Sequence, residues 1–392
     1  MVHKLLINDV LRDSAVSKEE KYAYFPIGKA ANTNIKRWLW EVECARGYET
    51  PVPQTYFDVH NYGWINADRE TPWIAFSRKS GADFATALAS KFKFTVVRNP
   101  FLRTLSGYRD KIESAKHPGP ATAAKFKLPS YPESFEEFVA MVCDQDDSQS
   151  DIHFRSQTYS CLYNFVKFDK IVHIENLSDE LGEVSQSCFG SNHAEANSSE
   201  AKHATGSSSV FEKYFTPDLI DALKKRFKSD FELLGYSDDP LVQAPVRPVG
   251  NSGRYAEIFP DLLALSAGDP SEPAKNIQQW LARTEVDQGA AFGLTKYLEQ
   301  MTRIWDNTQA RNEPSSEITT KDLLAGAENS QLTGDQLGGD AAFELADTIL
   351  RNLRLKISTQ GSGTVDVEGF GRFSFKRNKN GARRILFSPG DH

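Results

Sequence analysis

Phe25-Pro26-Ile27-Gly28-Lys29-Ala30-Ala31-Asn32-Thr33-Asn34-Ile35-Lys36-Arg37 joins two kinds of pattern within thirteen residues. Before the turn, Lys21 to Ile27 is rich in aromatic and apolar residues and predicts a short buried strand. After it, Ile35 to Val42 carries apolar residues at helical spacing. The turn between them is built of small residues and holds one lysine, Lys29. A strand that feeds a helix this way leaves backbone N–H groups unpaired at the helix start. Those groups, the positive end of the helix dipole and a lysine together form an anion site. The expected participants are Lys29 and the N–H groups of Ala30, Ala31, Asn32, Thr33 and Asn34. Thr33 and Asn34 could cap the helix or bond an anion's oxygens. The G-x-x-x-x-G-K-[ST] order of a Walker A loop is absent. By itself the pattern fits an ordinary strand–turn–helix as well as a phosphate cradle.

A second stretch shifts that balance. Lys91 to Val97 (KFKFTVV) predicts a strand that runs into Arg98-Asn99-Pro100 and then Phe101-Leu102-Arg103-Thr104-Leu105-Ser106-Gly107-Tyr108-Arg109-Asp110-Lys111. Pro100 suits a first helical turn, so Arg98 falls at the C-terminal edge of the strand. Ser106 lies about two turns beyond Asn99, within reach of the same ligand. An arginine fork with a hydroxyl suits a terminal phosphate. The plainer alternative has Arg98 paired with a carboxylate and Ser106 packed.

Two such units in one α/β chain suggest a nucleotide carrying phosphates at both ends. The pair K-x-A-x-T-N-x-K-R and V-R-N-P-F-x-R-x-x-S-x-Y-x-D-K resembles the carbohydrate-type sulfotransferases, the group that includes the HNK-1 and chondroitin 4-O-sulfotransferases and bacterial relatives. The resemblance implies that the first motif holds the 5′-phosphosulfate of PAPS (3′-phosphoadenylyl sulfate). The second would hold its 3′-phosphate through Arg98 and Ser106. It extends over roughly residues 20–237. Asp151-Ile152-His153-Phe154-Arg155-Ser156-Gln157 is similar to the family's D-x-H-W-R-x-Q segment near the acceptor site, which makes His153 a candidate base or acceptor ligand. The animal relatives follow that segment with a cysteine pair; Cys161 stands here without a partner at that spacing, so no disulfide is carried over. Phe168 to Leu177 is similar to a family strand ending in Glu-x-Leu, with Glu175 either orienting a cation or capping the next helix. The ending D-F-E-L-L-G-Y, residues 230–236, is typical of the last helix of the bacterial relatives.

Composition sets bounds around these motifs. At 392 residues the chain is long for one domain and suggests two or three. A net charge of −7 argues against wholesale nucleic-acid binding. No apolar run approaches the length of a membrane span, and the N-terminal MVHKLLINDVLRDSAVS has no signal-like apolar region. Four cysteines without C-x-x-C spacing read as reduced thiols. A cytoplasmic protein without the Golgi anchor of the animal relatives is expected.

Between the two motifs His60 is the one histidine, at the end of the apolar run Tyr56-Phe57-Asp58-Val59. Imidazole is poised to take an acceptor's proton near neutral pH, and a surface or structural role is the alternative. Gly81 to Ser90 predicts a structural helix. Residues 112–133 form a Pro-, Ala- and Lys-containing stretch, either a flap over substrate or a solvated loop, with Lys116, Lys125 and Lys127 available to an anionic sugar. Ser134 and Glu137 give a capping-box signal. The Ser- and Gly-rich residues 190–209 read as a surface loop. Pro217 to Leu234 carries a helical apolar stripe.

Asp238 to Arg254 reads as a proline-rich linker, Ala274 to Asn307 as helical and Asn307 to Ser316 as a second linker. Ile318 to Gly326 and Thr333 to Leu355 predict helices, Val365 to Phe375 a strand, and Lys379-Asn380-Gly381 a hairpin turn before Arg384 to Phe387. Helix, helix and V-x-x-G-F-G-x-F are similar to the HU/IHF histone-like family, without that family's long arm and Asn-Pro tip. Phe370 to His392 holds six Lys/Arg against one acid, enough to meet a phosphate backbone or a sulfated glycan.

The sequence thus predicts a P-loop-NTPase-like three-layer α/β sandwich with a parallel sheet over residues 1–237. A linker and helical segment over 238–316 and a small α+β HU-like domain over 317–392 follow. The expected activity is PAPS-dependent sulfation of a carbohydrate hydroxyl, with Lys29 and His60 or His153 in the chemistry and no metal required. The acceptor could be an anionic polysaccharide, and the C-terminal domain a homodimer contact. The alternatives are a nucleotide-dependent kinase and a DNA- or polyanion-binding protein with a degenerate enzyme domain.

Overall fold

Strand β2 (Tyr22–Phe25) lies between β1 (Ala15–Val16) and β3 (Phe92–Val97), and β4 (Lys170–His173) completes the sheet in the order β1-β2-β3-β4. β2, β3 and β4 are parallel, with Tyr24 opposite Phe94 and Val97 opposite His173. β1 is antiparallel to β2, so the sheet is mixed rather than wholly parallel. The residues joining β1 to β2 are too few for the crossover that parallel pairing needs. Every residue of β2 is buried, as are Phe94 to Val97 of β3, which explains their continuous apolar runs. The coordinates are a computed structural model and describe residues 7–49, 71–74, 87–193, 213–267, 270–286, 288–312, 316–318, 363–367, 371–377 and 383–389.

The helices of this region are α1 (Ile7–Asp13), α2 (Asn32–Ala45), α3 (Pro100–Tyr108), α4 (Pro120–Lys125), α5 (Phe135–Cys143), α6 (Gln157–Ser160), α7 (Leu177–Phe189), α8 (Pro217–Arg226) and α9 (Lys228–Leu233). Ile35, Trp38, Leu39 and Val42 of α2 and Leu181, Val184 and Phe189 of α7 form one core with Tyr22, Tyr24, Phe94, Val96 and Val172 of the sheet. A second, aromatic cluster joins Phe101 and Tyr108 of α3 to Phe135 and Phe138 of α5, with Phe154, Phe215 and Phe231 around them. Ser134 caps α5, accepting from the Glu137 N–H at 3.2 Å. The stripe expected as one helix over 217–234 breaks at Phe227 into α8 and α9.

The chain divides into two units, Met1–Met301 and Thr302–His392. Within the first, the stretch read as a linker is strapped to the region that carries the sheet. The Gly250 N–H donates to the Leu233 carbonyl at 2.9 Å, Gly253 to Tyr163 at 2.8 Å, and Ser252 Oγ accepts from Phe168 N–H at 2.8 Å. Gly253, at φ +75°, passes so close to Lys167 that a Cβ would lie 2.7 Å from its Cα. The helix expected over 274–307 is two helices, α11 (Ser271–Arg283) and α12 (Gln288–Asn312), preceded by α10 (Phe259–Ala267). Tyr255 and Trp280 pack edge to face at 5.5 Å.

In the second unit β5 (Ser316–Ile318) pairs parallel with β6 (Gly363–Val367). β6, β7 (Gly371–Arg377) and β8 (Arg383–Pro389) form an antiparallel meander. The run expected as one strand over 365–375 is therefore two, because Val367 pairs back onto Gly371. Ile318 belongs to β5 rather than to a helix. The helix expected at 333–355, the rest of that at 318–326 and the turn at 379–381 lie outside the described residues.

Candidate active site

Parallel pairing brings the C-terminal ends of β2, β3 and β4 to one edge of the sheet, and the loops that follow them meet there. The Thr95 hydroxyl, in the last β2–β3 pair, donates to the carbonyl of its partner Phe25 at 2.7 Å and ties the two strands together where β2 ends.

Beyond β2 the chain turns through Lys29 at φ 68° and Ala31 at φ 56°. Left-handed backbone costs a non-glycine residue about 1 kcal/mol, so packing must impose this turn. Gly28 shows how: a Cβ there would lie 2.9 Å from the Ile152 carbonyl and 3.3 Å from the His153 Cα. The cradle loop is thus pressed directly on the backbone of the 151–157 segment. Ala31 is the N-cap of α2 and no side chain caps the helix. Asn32, Thr33 and Asn34 accordingly occupy the first helical turn and are not its caps. Helix geometry leaves their N–H groups without intrahelical acceptors. The Ala30 N–H, by contrast, is spent on the Ile27 carbonyl at 3.3 Å. Asn32 Oδ1 is buried with no hydrogen-bond partner at this helix start.

Lys29 Nζ bonds Asp110 Oδ2 at 3.0 Å across the site. Burial pulls the Lys29 ammonium below its ordinary value, and Asp110 opposes that pull. The Arg98 guanidinium is nearly enclosed, reaching the Lys29 carbonyl at 3.4 Å. Burial lowers it as well, and the Glu175 carboxylate opposes. The Arg98 backbone is clamped by Gln157, which accepts from its N–H at 2.9 Å and donates to its carbonyl at 2.7 Å. Glu175 accepts from the Asn99 N–H at 2.8 Å and the Tyr236 hydroxyl at 2.7 Å, and burial pushes its carboxyl up. It does not cap α7; it holds the start of α3 beside Arg98. Asn99 caps α3, its Oδ1 accepting from the N–H groups of Phe101 and Leu102. Ser106 is half-buried on α3, roughly 10 Å along the helix from Asn99 at 1.5 Å per residue.

His153 completes the cluster. Its Nδ1 lies 2.5 Å from Asp151 Oδ1, which also accepts from the His153 N–H at 3.0 Å. Burial alone would raise the Asp151 carboxyl, but the bond and charge of His153 hold it below its ordinary value. With Nδ1 held by Asp151, Nε2 is the nitrogen left to exchange a proton. Phe126, from the stretch read as either a flap or a solvated loop, is buried and packs edge-on against the imidazole at 6.0 Å. His60 lies outside the described residues, as do the loop residues beyond His193.

A model of the Sulfotransferase family matches residues 12–237, more than half of the chain. The chain belongs to the sulfotransferase family. No curated protein and no solved structure matches it. The matched span ends one residue after Tyr236, whose hydroxyl donates to Glu175, so it takes in every loop of the candidate site described above.

Three residues that shape this candidate site are given no role in the sequence reading. Arg103 is buried, with its Nε on the Gly28 carbonyl at 2.8 Å and Nη1 on the Arg155 carbonyl at 2.8 Å. Gln157 clamps Arg98, and Asp110 holds Lys29. The sequence signal for Arg103 and Asp110 is their place as fixed positions of V-R-N-P-F-x-R-x-x-S-x-Y-x-D-K, and for Gln157 the end of D-x-H-W-R-x-Q.

Proposed function

We propose that residues 1–237 transfer a sulfuryl group from PAPS to a hydroxyl of a carbohydrate. The observation that carries this reading is the junction of the two anion-binding loops, where Arg98 of one reaches the Lys29 carbonyl of the other. A donor with phosphates at both ends needs two cationic loops at a fixed spacing. The residues present fit it: the first-turn N–H groups of α2, a lysine and a largely buried arginine supply donors and positive charge on both sides of that junction.

PAPS, when bound, supplies an activated sulfuryl group and leaves as PAP. Lys29 and the first-turn N–H groups of α2 neutralise charge on the phosphosulfate side, where negative charge grows during transfer. Arg98 and Ser106 hold the 3′-phosphate and fix register. His153, oriented by Asp151, takes the acceptor proton at Nε2. His60 stays the second candidate for that step. The carbohydrate acceptor rests on the motif resemblance, and Lys125 and Lys127 beside Phe126 suit an anionic one.

Calorimetric titration with PAP, beside Lys29→Ala and Arg98→Ala, tests the reading. Saturable 1:1 binding, weakened about tenfold or more in either variant, is the expected result. An absence of binding by the wild type would overturn it.

A further inference from the structure

Lys29 is a cation in a place that works against its charge. It is largely buried, and two further cations, Arg98 and Lys111, press on it from the β3–α3 loop and from the turn after α3. Arg103 occupies the carbonyl of the preceding residue, and the His153 backbone packs against that same residue. Asp110 is the carboxylate that faces Lys29 among these groups, at 3.0 Å. An anion site that gathers cations discharges its own lysine unless one negative group is built in.

The backbone delivers Asp110 to that point by a local irregularity. After Tyr108 the helix continues as a single π-helical turn, Arg109–Glu113, closed by the Ser114 N–H on the Arg109 carbonyl at 3.0 Å. The wider turn shifts the phase of residues 109–113 relative to α3. Asp110 Oδ2 also accepts from Lys111 Nζ at 2.8 Å. The carboxylate therefore keeps a partner when Lys29 shares its three N–H donors with another anion.

We propose that Asp110 is the positioning residue for Lys29, holding its ammonium charged and in place while its remaining donors serve the phosphosulfate side of the donor. This proposal rests on the reading of the cradle as the PAPS site. Asp110 touches the lysine and not the reacting atoms.

Two measurements on the full chain test it, using wild type, Asp110→Asn, Asp110→Glu and Lys29→Ala. The first needs no ligand: the reactivity of the Lys29 amine toward acetic anhydride, read by mass spectrometry from neutral to alkaline pH. Asp110→Asn should expose a reactive neutral amine at lower pH than wild type, and Asp110→Glu should restore the profile. The second is PAP affinity over the same range. Asp110→Asn should lose affinity at lower pH than wild type, by about three- to tenfold at the alkaline end, and Lys29→Ala should lack that limb. An unchanged Lys29 profile in Asp110→Asn overturns the proposal. So does tighter PAP binding by Asp110→Asn at every pH, which would make Asp110 a competitor. A shifted Lys29 profile in a protein that never binds PAP upholds the contact and overturns the donor reading.

Discussion

The Nε of Arg103 donates to the carbonyl of Gly28 at 2.8 Å, and its Nη1 to the carbonyl of Arg155 at 2.8 Å. One buried guanidinium therefore joins α3 to the cradle loop and to the segment that carries His153. Burial lowers its ionisation to about 10, with Asp230 and Asp147 opposing, so it stays charged at neutral pH. Arg103→Met removes the donors and leaves both carbonyls without these bonds. It should lower unfolding free energy by about 2–4 kcal/mol and weaken PAP binding as well. Denaturant unfolding and calorimetry on the same preparation check both.

Gly28→Ala tests the close approach of the two backbones. The added methyl would lie 2.9 Å from the Ile152 carbonyl oxygen, and main chain cannot step aside as a flexible side chain does. A loss of about 1–3 kcal/mol in stability is expected. PAP affinity should fall in parallel, because Lys29 is the next residue. Wild-type affinity in a folded Gly28→Ala protein would show that the loop's position does not matter to the donor.

Removing the imidazole should separate binding from chemistry. His153→Ala is expected to bind PAP within about threefold of wild type, since the proposed phosphate sites lie in other loops. Sulfuryl transfer should drop by about 100-fold or more. Asp151→Asn keeps the imidazole and loses the charge that orients it, so an intermediate rate is expected. Single-turnover transfer from radiolabelled PAPS to a carbohydrate panel gives the comparison.

His173, at the end of β4, links pH to stability. Burial alone would lower its value. The Glu180 bond at 3.2 Å and the Leu234 carbonyl at 2.9 Å outweigh burial and raise it above the ordinary 6.5. A raised folded value contributes stability that is complete below 6.5 and disappears as pH rises through the folded value. Glu180 is held below its ordinary 4.5, chiefly by His173 against the pull of burial, so its share is lost only as pH falls through that lowered value. The melting temperature should thus decline from pH 6 to pH 8 in wild type, and less so in His173→Gln. Equal slopes in the two proteins would remove His173 from the account.

Much of this was legible along the chain because it is local. Apolar runs mark β2 and β3, since strands buried on both faces need apolar side chains throughout. Pro100 after Asn99 marks the start of α3, since proline suits a first turn and asparagine caps it. Lys29 and Arg98 could be named for the same reason: each lies in the loop that leaves a strand at the sheet's C-terminal edge. What the chain order hides is the partner of each charge. Nothing near Lys29 in sequence announces Asp110, nothing near Arg98 announces Glu175 and Gln157, and Gly28 owes its smallness to Ile152. Those pairings arise only when parallel strands set distant loops side by side. The proline-rich 238–254 has the composition of a linker, yet backbone bonds to Leu233 and Tyr163 hold it down. Residue types determined which groups could bind an anion. Tertiary packing decided which carboxylate each cation meets, and partial burial of Lys29 and Arg98 made that choice matter.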